Sequence, residues 1–155
     1  DELNSHLGLL RDQIPAEWDA VRAELAQVQS DLFALGSHMA NDIPEMVARL
    51  PHIDPAWIAR LEAAIDRMDL DLEPMRNFLL PGGHVLVSQC HVVRTVARRA
   101  ERWVVQLVDQ LGADDVPLPE PTVAYLNRLS DYAFTLSRWL GKQLNAPEIP
   151  WISKA

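Results

Sequence analysis

Apolar residues recur at three- and four-residue steps through nearly the whole chain, and proline or glycine interrupts the recurrence at only a few points. That rhythm belongs to one face of an α-helix, which turns every 3.6 residues or so, and not to the two-residue alternation of a half-buried strand. Leu3, Leu7 and Leu10 carry it in a first helix already running at Asp1, which points to further chain upstream. Pro15 then opens a second helix, with Trp18, Val21, Leu25, Val28, Leu32 and Leu35 on one stripe. Residues 41–53, with Pro44 and Pro51, read as an irregular connection or one short helical turn. Asp54 and Pro55 start a third helix through Trp57, Ile58, Leu61, Ile65 and Met68, which should stop before Pro74. "LLPGGH" is the strongest break, because Pro81 sets its own φ and Gly82 and Gly83 are permissive. A fourth helix follows from about His84 to Leu111, stopped by Gly112, and a fifth from Glu120 to Gln143. The tail "NAPEIPWISKA" should be extended, and no run alternates like a strand. The expected architecture is an all-α, up-and-down five-helix bundle forming one domain over residues 1–155.

A chain of 155 residues can bury a core without a metal or a disulfide, and its single cysteine, Cys90, cannot form an internal one. This suits a reducing compartment, the cytoplasm. No apolar run reaches the length of about 20 residues that spans a bilayer. The net charge of -8 argues against nucleic acid or an anionic membrane as main partner. A local basic cluster can still hold a small anion. All of the 14 basic residues except Lys142 and Lys154 are arginine, the side chain whose planar fork suits phosphate and carboxylate.

On the fourth helix Val93, Val96, Ala100, Val104, Leu107 and Leu111 share a core face, and Arg94, Arg98, Glu101 and Arg102 share another. On the fifth, Leu126, Leu129, Ala133, Leu136 and Leu140 form the buried stripe, while Asn127, Asp131, Phe134 and Arg138 line a separate one. Charged helix faces are usually only solvated, with Glu–Arg pairs worth roughly 0.2–0.5 kcal/mol each. Here Arg94, Arg98 and Arg102 are like charges at four-residue spacing, which is unfavourable in isolation, and Glu101 offsets only part of them. An anionic ligand is a reasonable partner for that face. His84, Cys90 and His91 lack the close ligand pairs of a structural zinc site. The chain has no phosphate-binding glycine loop of either common type, and no serine or cysteine nucleophile pattern. The five tryptophans, 18, 57, 103, 139 and 151, fit core or subunit contacts.

Four segments, "DELNS" at 1–5, "NFLLPGG" at 77–83, "RTVARRAER" at 94–102 and "NRLSDYAFTLSR" at 127–138, stand in the order and spacing of a known family. "AWIARLEAAID" at 56–66 fits its third helix. The chain resembles the PduO-type ATP:cob(I)alamin adenosyltransferases over nearly its whole length. The resemblance implies a five-helix bundle assembling as a homotrimer, with Mg·ATP and the corrinoid bound at each subunit interface. It also implies the reaction, in which cob(II)alamin is reduced to cob(I)alamin, whose cobalt attacks the 5′ carbon of ATP to give adenosylcobalamin and triphosphate. A flavin reductase would supply electrons, and an adenosylcobalamin-dependent mutase would take the product.

By that resemblance Arg98, Arg99, Ala100, Glu101, Arg102 and Asn127 fall on ATP-binding positions, and Arg98, Arg102 and Asp1 on the catalytic ones. Asp1 matches an acidic residue that pairs with Arg98. Phe78 matches the aromatic that occupies the lower face of the corrin and keeps the nucleotide base off cobalt; without the resemblance it reads as core packing before a turn. The resemblance assigns no metal ligand. It places a glycine-rich T-x-T-G-D-x-G segment upstream of the position where this chain begins. "DLDLEPMR" at 69–76 is more acidic than a corrinoid contact would suggest. Two readings compete with catalysis: a non-catalytic bundle whose arginine face docks an acidic partner protein, and a bundle that only binds and delivers a corrinoid.

Overall fold

The computed structural model describes residues 1–153, and five α-helices account for most of them. They are α1 (Glu2–Gln13), α2 (Asp19–Met39), α3 (Ala56–Asp69), α4 (Val85–Gln110) and α5 (Pro121–Gln143). Short 3-10 segments precede α2 at Ala16–Trp18 and α3 at Pro44–Arg49. The start signals in the sequence act as their chemistry predicts: the Asp54 carboxylate accepts from Ala56 N at 2.9 Å, and His84 Nδ1 accepts from Leu86 N at 3.2 Å. The second helix starts later than Pro15, because the chain first makes the 3-10 turn. The third ends five residues short of Pro74.

The tail is extended, and it is also paired. β1 (Leu79–Leu80) and β2 (Ile149–Pro150) form an antiparallel ribbon, with Leu79 opposite Pro150 and Leu80 opposite Ile149. Two-residue strands carry no alternation for a sequence reading to detect. Gly82 and Gly83, at φ of 151° and 96°, turn the chain out of β1 into α4 through backbone conformations that side chains disfavour.

α5 is the central helix. It packs against α3 and α4, while α1 packs against α2 and α4. Beyond its expected leucine stripe α5 also buries Tyr125, Tyr132, Thr122, Ser130, Thr135 and Ser137. Three of these hydroxyls donate to carbonyls three residues back, at 2.7 Å for Thr122, 2.8 Å for Ser130 and 2.6 Å for Ser137, so they enter the core without orphaned donors. The core stripe of α4 is sealed at Val93, Val96 and Val104, but Leu107 and Leu111 stay half-buried where the helix runs past its neighbours.

The ring of helices closes through two polar rungs. In one, the Asp31 carboxylate of α2 accepts from Tyr125 OH at 2.8 Å, from Gln27 Nε2 at 3.0 Å and from the Arg60 guanidinium. In the other, Glu24 accepts from Arg67 at 2.6 Å and from Tyr132 OH at 3.2 Å. Each rung takes one acid from α2, one arginine from α3 and one tyrosine from α5. The rungs stand seven residues apart on every helix, so α2 runs opposite to α3 and α5. Burial, then the adjacent carboxylate, pushes both phenols up in pKa and keeps them as donors. Asp31→Ala should orphan Tyr125 OH and half-exposed Arg60 and cost about 2–3 kcal/mol in urea unfolding, against about 1 kcal/mol for Tyr132→Phe. Equal small losses would show that the rungs do not hold the bundle.

Candidate functional site

Helix geometry sends the arginine motif of α4 in three directions, because each residue advances about 100° around the axis. Glu101 turns toward α5, where its carboxylate accepts from Asn127 Nδ2 at 2.9 Å. Arg99 turns toward α1 and pairs with Glu2, whose carboxyl is held below its usual pKa by that hydrogen bond. Arg98 and Arg102 stand exposed between these flanks, and among the described residues neither makes an ion pair. Arg94 is half-buried beside α5, with its Nε directed at His91 Nδ1 at 3.4 Å. Burial and the charge of Arg98 lower its pKa.

Asp1 caps α1 through its backbone, whose carbonyl accepts from Ser5 N at 3.0 Å, and its side chain caps nothing. The expected pairing of Asp1 with Arg98 is not made within the chain. Arg98 is one helical step from Arg99 and faces away from α1, so the acid that meets α4 is Glu2 and the arginine is Arg99. Asp1 instead lines a cleft of about 610 Å³ between α1, α2 and α4, with Arg99, Ala100, Trp103 and Phe33. Trp103 and Phe33 are 65% and 71% exposed, too open for core residues.

A second cluster forms where the ribbon leaves the bundle. Phe78 precedes β1, Trp151 follows β2, and Trp151 N donates to Phe78 O at 2.7 Å, extending the pairing by one step. Their rings meet edge to face at 6.4 Å between centroids and flank an open cleft of about 450 Å³ with Met75, Arg76, Asn77 and Ile152. Phe78 is 74% exposed, which overturns the core-packing reading. Phe78 lines this cleft, and Arg99 of α4 lines the other one.

The family follows from the comparison of this chain with others. A family model described as cobalamin adenosyltransferase matches residues 1–140, which take in Asp1, Phe78, Arg98 to Arg102 and Asn127. The chain belongs to the cobalamin adenosyltransferase family. It is 40% identical to the cobalamin adenosyltransferase of Cupriavidus metallidurans over 97% of its own length and 76% of that protein. It is 37% identical to the corrinoid adenosyltransferase PduO of Salmonella typhimurium over 89% of its length and 39% of that one. Among solved structures, a phenylalanine-to-alanine variant of the PduO-type ATP:corrinoid adenosyltransferase of Lactobacillus reuteri, complexed with cobalamin and ATP, superposes with a TM-score of 0.87 at 29% identity. That match covers 99% of this chain and 82% of the other. An arginine-to-lysine variant of the same protein, complexed with ATP, gives 0.85.

Within this adenosyltransferase fold the described residues contain no group of three His, Cys, Asp or Glu that could hold a metal ion. His84 is spent on capping α4, Cys90 is buried with its thiol pKa pushed up by desolvation, and His91 packs against Phe134 at 6.1 Å. Sequence reasoning missed two features here. His91, which it set aside as a metal ligand, is a buried partner of Arg94; Trp151, left unassigned, is the ring beside Phe78. A His–Arg pair three residues apart on one helix was a signal for the first, and nothing in the tail signalled the second.

Burial, then the charge of Arg94, lowers the pKa of His91, so the folded chain takes up its proton less readily than the unfolded chain. Stability should therefore be full above the ordinary histidine value of about 6.5 and fall as pH drops below it. Melting temperature measured from pH 8 to 5 should show that loss, and His91→Gln should flatten this part of the profile. An unchanged profile would count against the buried, neutral His91.

Proposed function

We propose that this chain carries out the reaction of its family, transferring the 5′-deoxyadenosyl group of ATP to the cobalt of a reduced corrinoid. The observation that carries the reading is the pair Arg98 and Arg102, one turn apart on α4, exposed and without an ion pair among the described residues, in a chain of net charge -8. Such a pair suits an arriving polyphosphate. In the reaction the Co(I) electron pair forms the cobalt–carbon bond at C5′, the C5′–O bond breaks, and its electrons leave with triphosphate. Charge grows on that leaving group, and preorganised guanidinium groups stabilise it most where water is excluded. The cobalt is the nucleophile, which agrees with a chain lacking an activated serine or cysteine. Mg²⁺ enters here as part of the Mg·ATP substrate.

Phe78 is the residue for the corrin. An exposed ring on a hydrogen-bonded ribbon suits a flat apolar macrocycle, and its presence below cobalt displaces the axial base. Loss of that ligand lowers the electron density at Co(II) and makes reduction to Co(I) easier. Glu101 and Asn127, already hydrogen-bonded to each other, would hold the nucleotide end.

Phe78 lines one cleft of the chain and Arg99, with Asp1, lines another, which supports a homotrimer with its sites at the subunit boundaries. Among the described residues Arg98 meets no acid and Asp1 no arginine, which supports a pairing of the two across that boundary, beside exposed Phe33 and Trp103. A cytoplasmic setting with a flavin reductase as electron donor and a mutase as recipient completes the proposal.

Mixing the full-length protein with Mg·ATP and chemically reduced cobalamin should yield adenosylcobalamin, followed by absorbance. No product would leave a docking or delivery bundle in its place. Arg102→Ala should lower kcat/KM for ATP by about 10²-fold or more while the melting temperature holds, since the side chain is exposed. Retained turnover would remove Arg102 from the phosphate site. Phe78→Ala should bind ATP normally yet fail to give base-off cob(II)alamin, and a parental spectrum would remove Phe78 from the corrin site.

A further inference from the structure

The ribbon that presents Phe78 and Trp151 is too short to place itself. It has two residue pairs and one further hydrogen bond, and an isolated two-stranded hairpin far longer than this is marginal in water. Its position must come from outside, and one side chain reaches both of its arms. Arg138, in the last turns of α5, donates from Nε to Glu148 Oε1 at 2.7 Å and from Nη2 to Glu73 O at 2.8 Å. Glu148 is the residue before β2, and Glu73 lies five residues before Phe78. The Arg138 side chain is only 10% exposed, while Glu148 is 42% exposed. Its neighbours on α5 hold the incoming arm alone, Trp139 Nε1 donating to Asp71 Oδ2 at 3.3 Å and Lys142 Nζ to Asp71 O.

We propose that Arg138 is the positioning residue of the corrinoid end: one guanidinium, anchored on the central helix, sets where the Phe78–Trp151 pair stands relative to the arginines of α4. The inference rests on the reading of Phe78 as the corrin residue. The same α5 stripe carries Asn127, hydrogen-bonded to Glu101, so a single rigid helix spaces the nucleotide end from the corrin end. Donors from two edges of one planar group are needed to grip both arms, and an ammonium group does not reproduce that fork. Within the acidic segment 69–76, the Asp71 carboxylate accepts from Trp139 Nε1, while Lys142 and Arg138 are met by the backbone carbonyls of Asp71 and Glu73.

The test uses the full-length protein with cob(II)alamin and Mg·ATP, reading the base-off cob(II)alamin spectrum, KM for cobalamin and, separately, the affinity for ATP. Two variants approach the clamp from opposite sides, Arg138→Lys on the helix and Glu148→Ala on the partly exposed tail, so that a folding failure in one leaves the other informative. Both should lose most of the base-off species and about 10²-fold in kcat/KM for cobalamin, the scale of a misplacement by 1 Å or so, with ATP affinity unchanged. Wild-type spectra and cobalamin KM in both variants would overturn the positioning role. A parallel fall in ATP affinity would overturn it too, by showing general destabilisation. If the wild-type protein itself forms no base-off species, the reading of Phe78 fails first and this inference with it.

Discussion

Two tyrosine hydroxyls seven residues apart on α5 reach carboxylates on α2, and arginines from α3 meet the same carboxylates. These rungs fix both the register and the direction of three helices. A slip by one turn would leave Asp31, 1% exposed, without its donors, and an uncompensated buried charge costs several kcal/mol. Apolar packing alone is more tolerant of sliding, since one leucine fills much the same space as the next. With α5 registered in this way, Asn127 is set against Glu101 and Arg138 against the ribbon arms.

The functional layout follows from that one helix. Its first half meets the arginine motif of α4, and its last turns hold the aromatic ribbon, so one stiff helix separates the proposed nucleotide and corrinoid ends. α4 divides its own motif because of helical pitch. Arg99 and Glu101 turn to contacts with α1 and α5, and Arg98 and Arg102 stand exposed with no ion pair among the described residues.

Much of this was legible from residue spacing. The five helices, the buried stripe of α5 and the capping role of Asp54 follow from periodicity and local hydrogen-bonding chemistry, which depend on neighbours within a few residues. The motifs at 1–5, 77–83, 94–102 and 127–138 marked the family before any coordinates. The rungs were not legible. Glu24, Asp31, Arg60 and Arg67 look like ordinary surface charges on amphipathic helices, and only the closing of α2 on α3 shows that they face inward or toward one another. Phe78 read as core for the same reason: exposure is decided by what the rest of the chain leaves uncovered.

The sequence by itself therefore determined the helices, their core faces and the arginine-rich segment, because each depends on pitch and local contacts. Tertiary structure decided which arginine meets which acid, that Glu2 is the acid paired with Arg99, and that Trp151 lies beside Phe78 across 72 intervening positions of chain. Those outcomes depend on the rotation of one helix against another and on a pairing between distant strands. No window of neighbouring residues encodes either one.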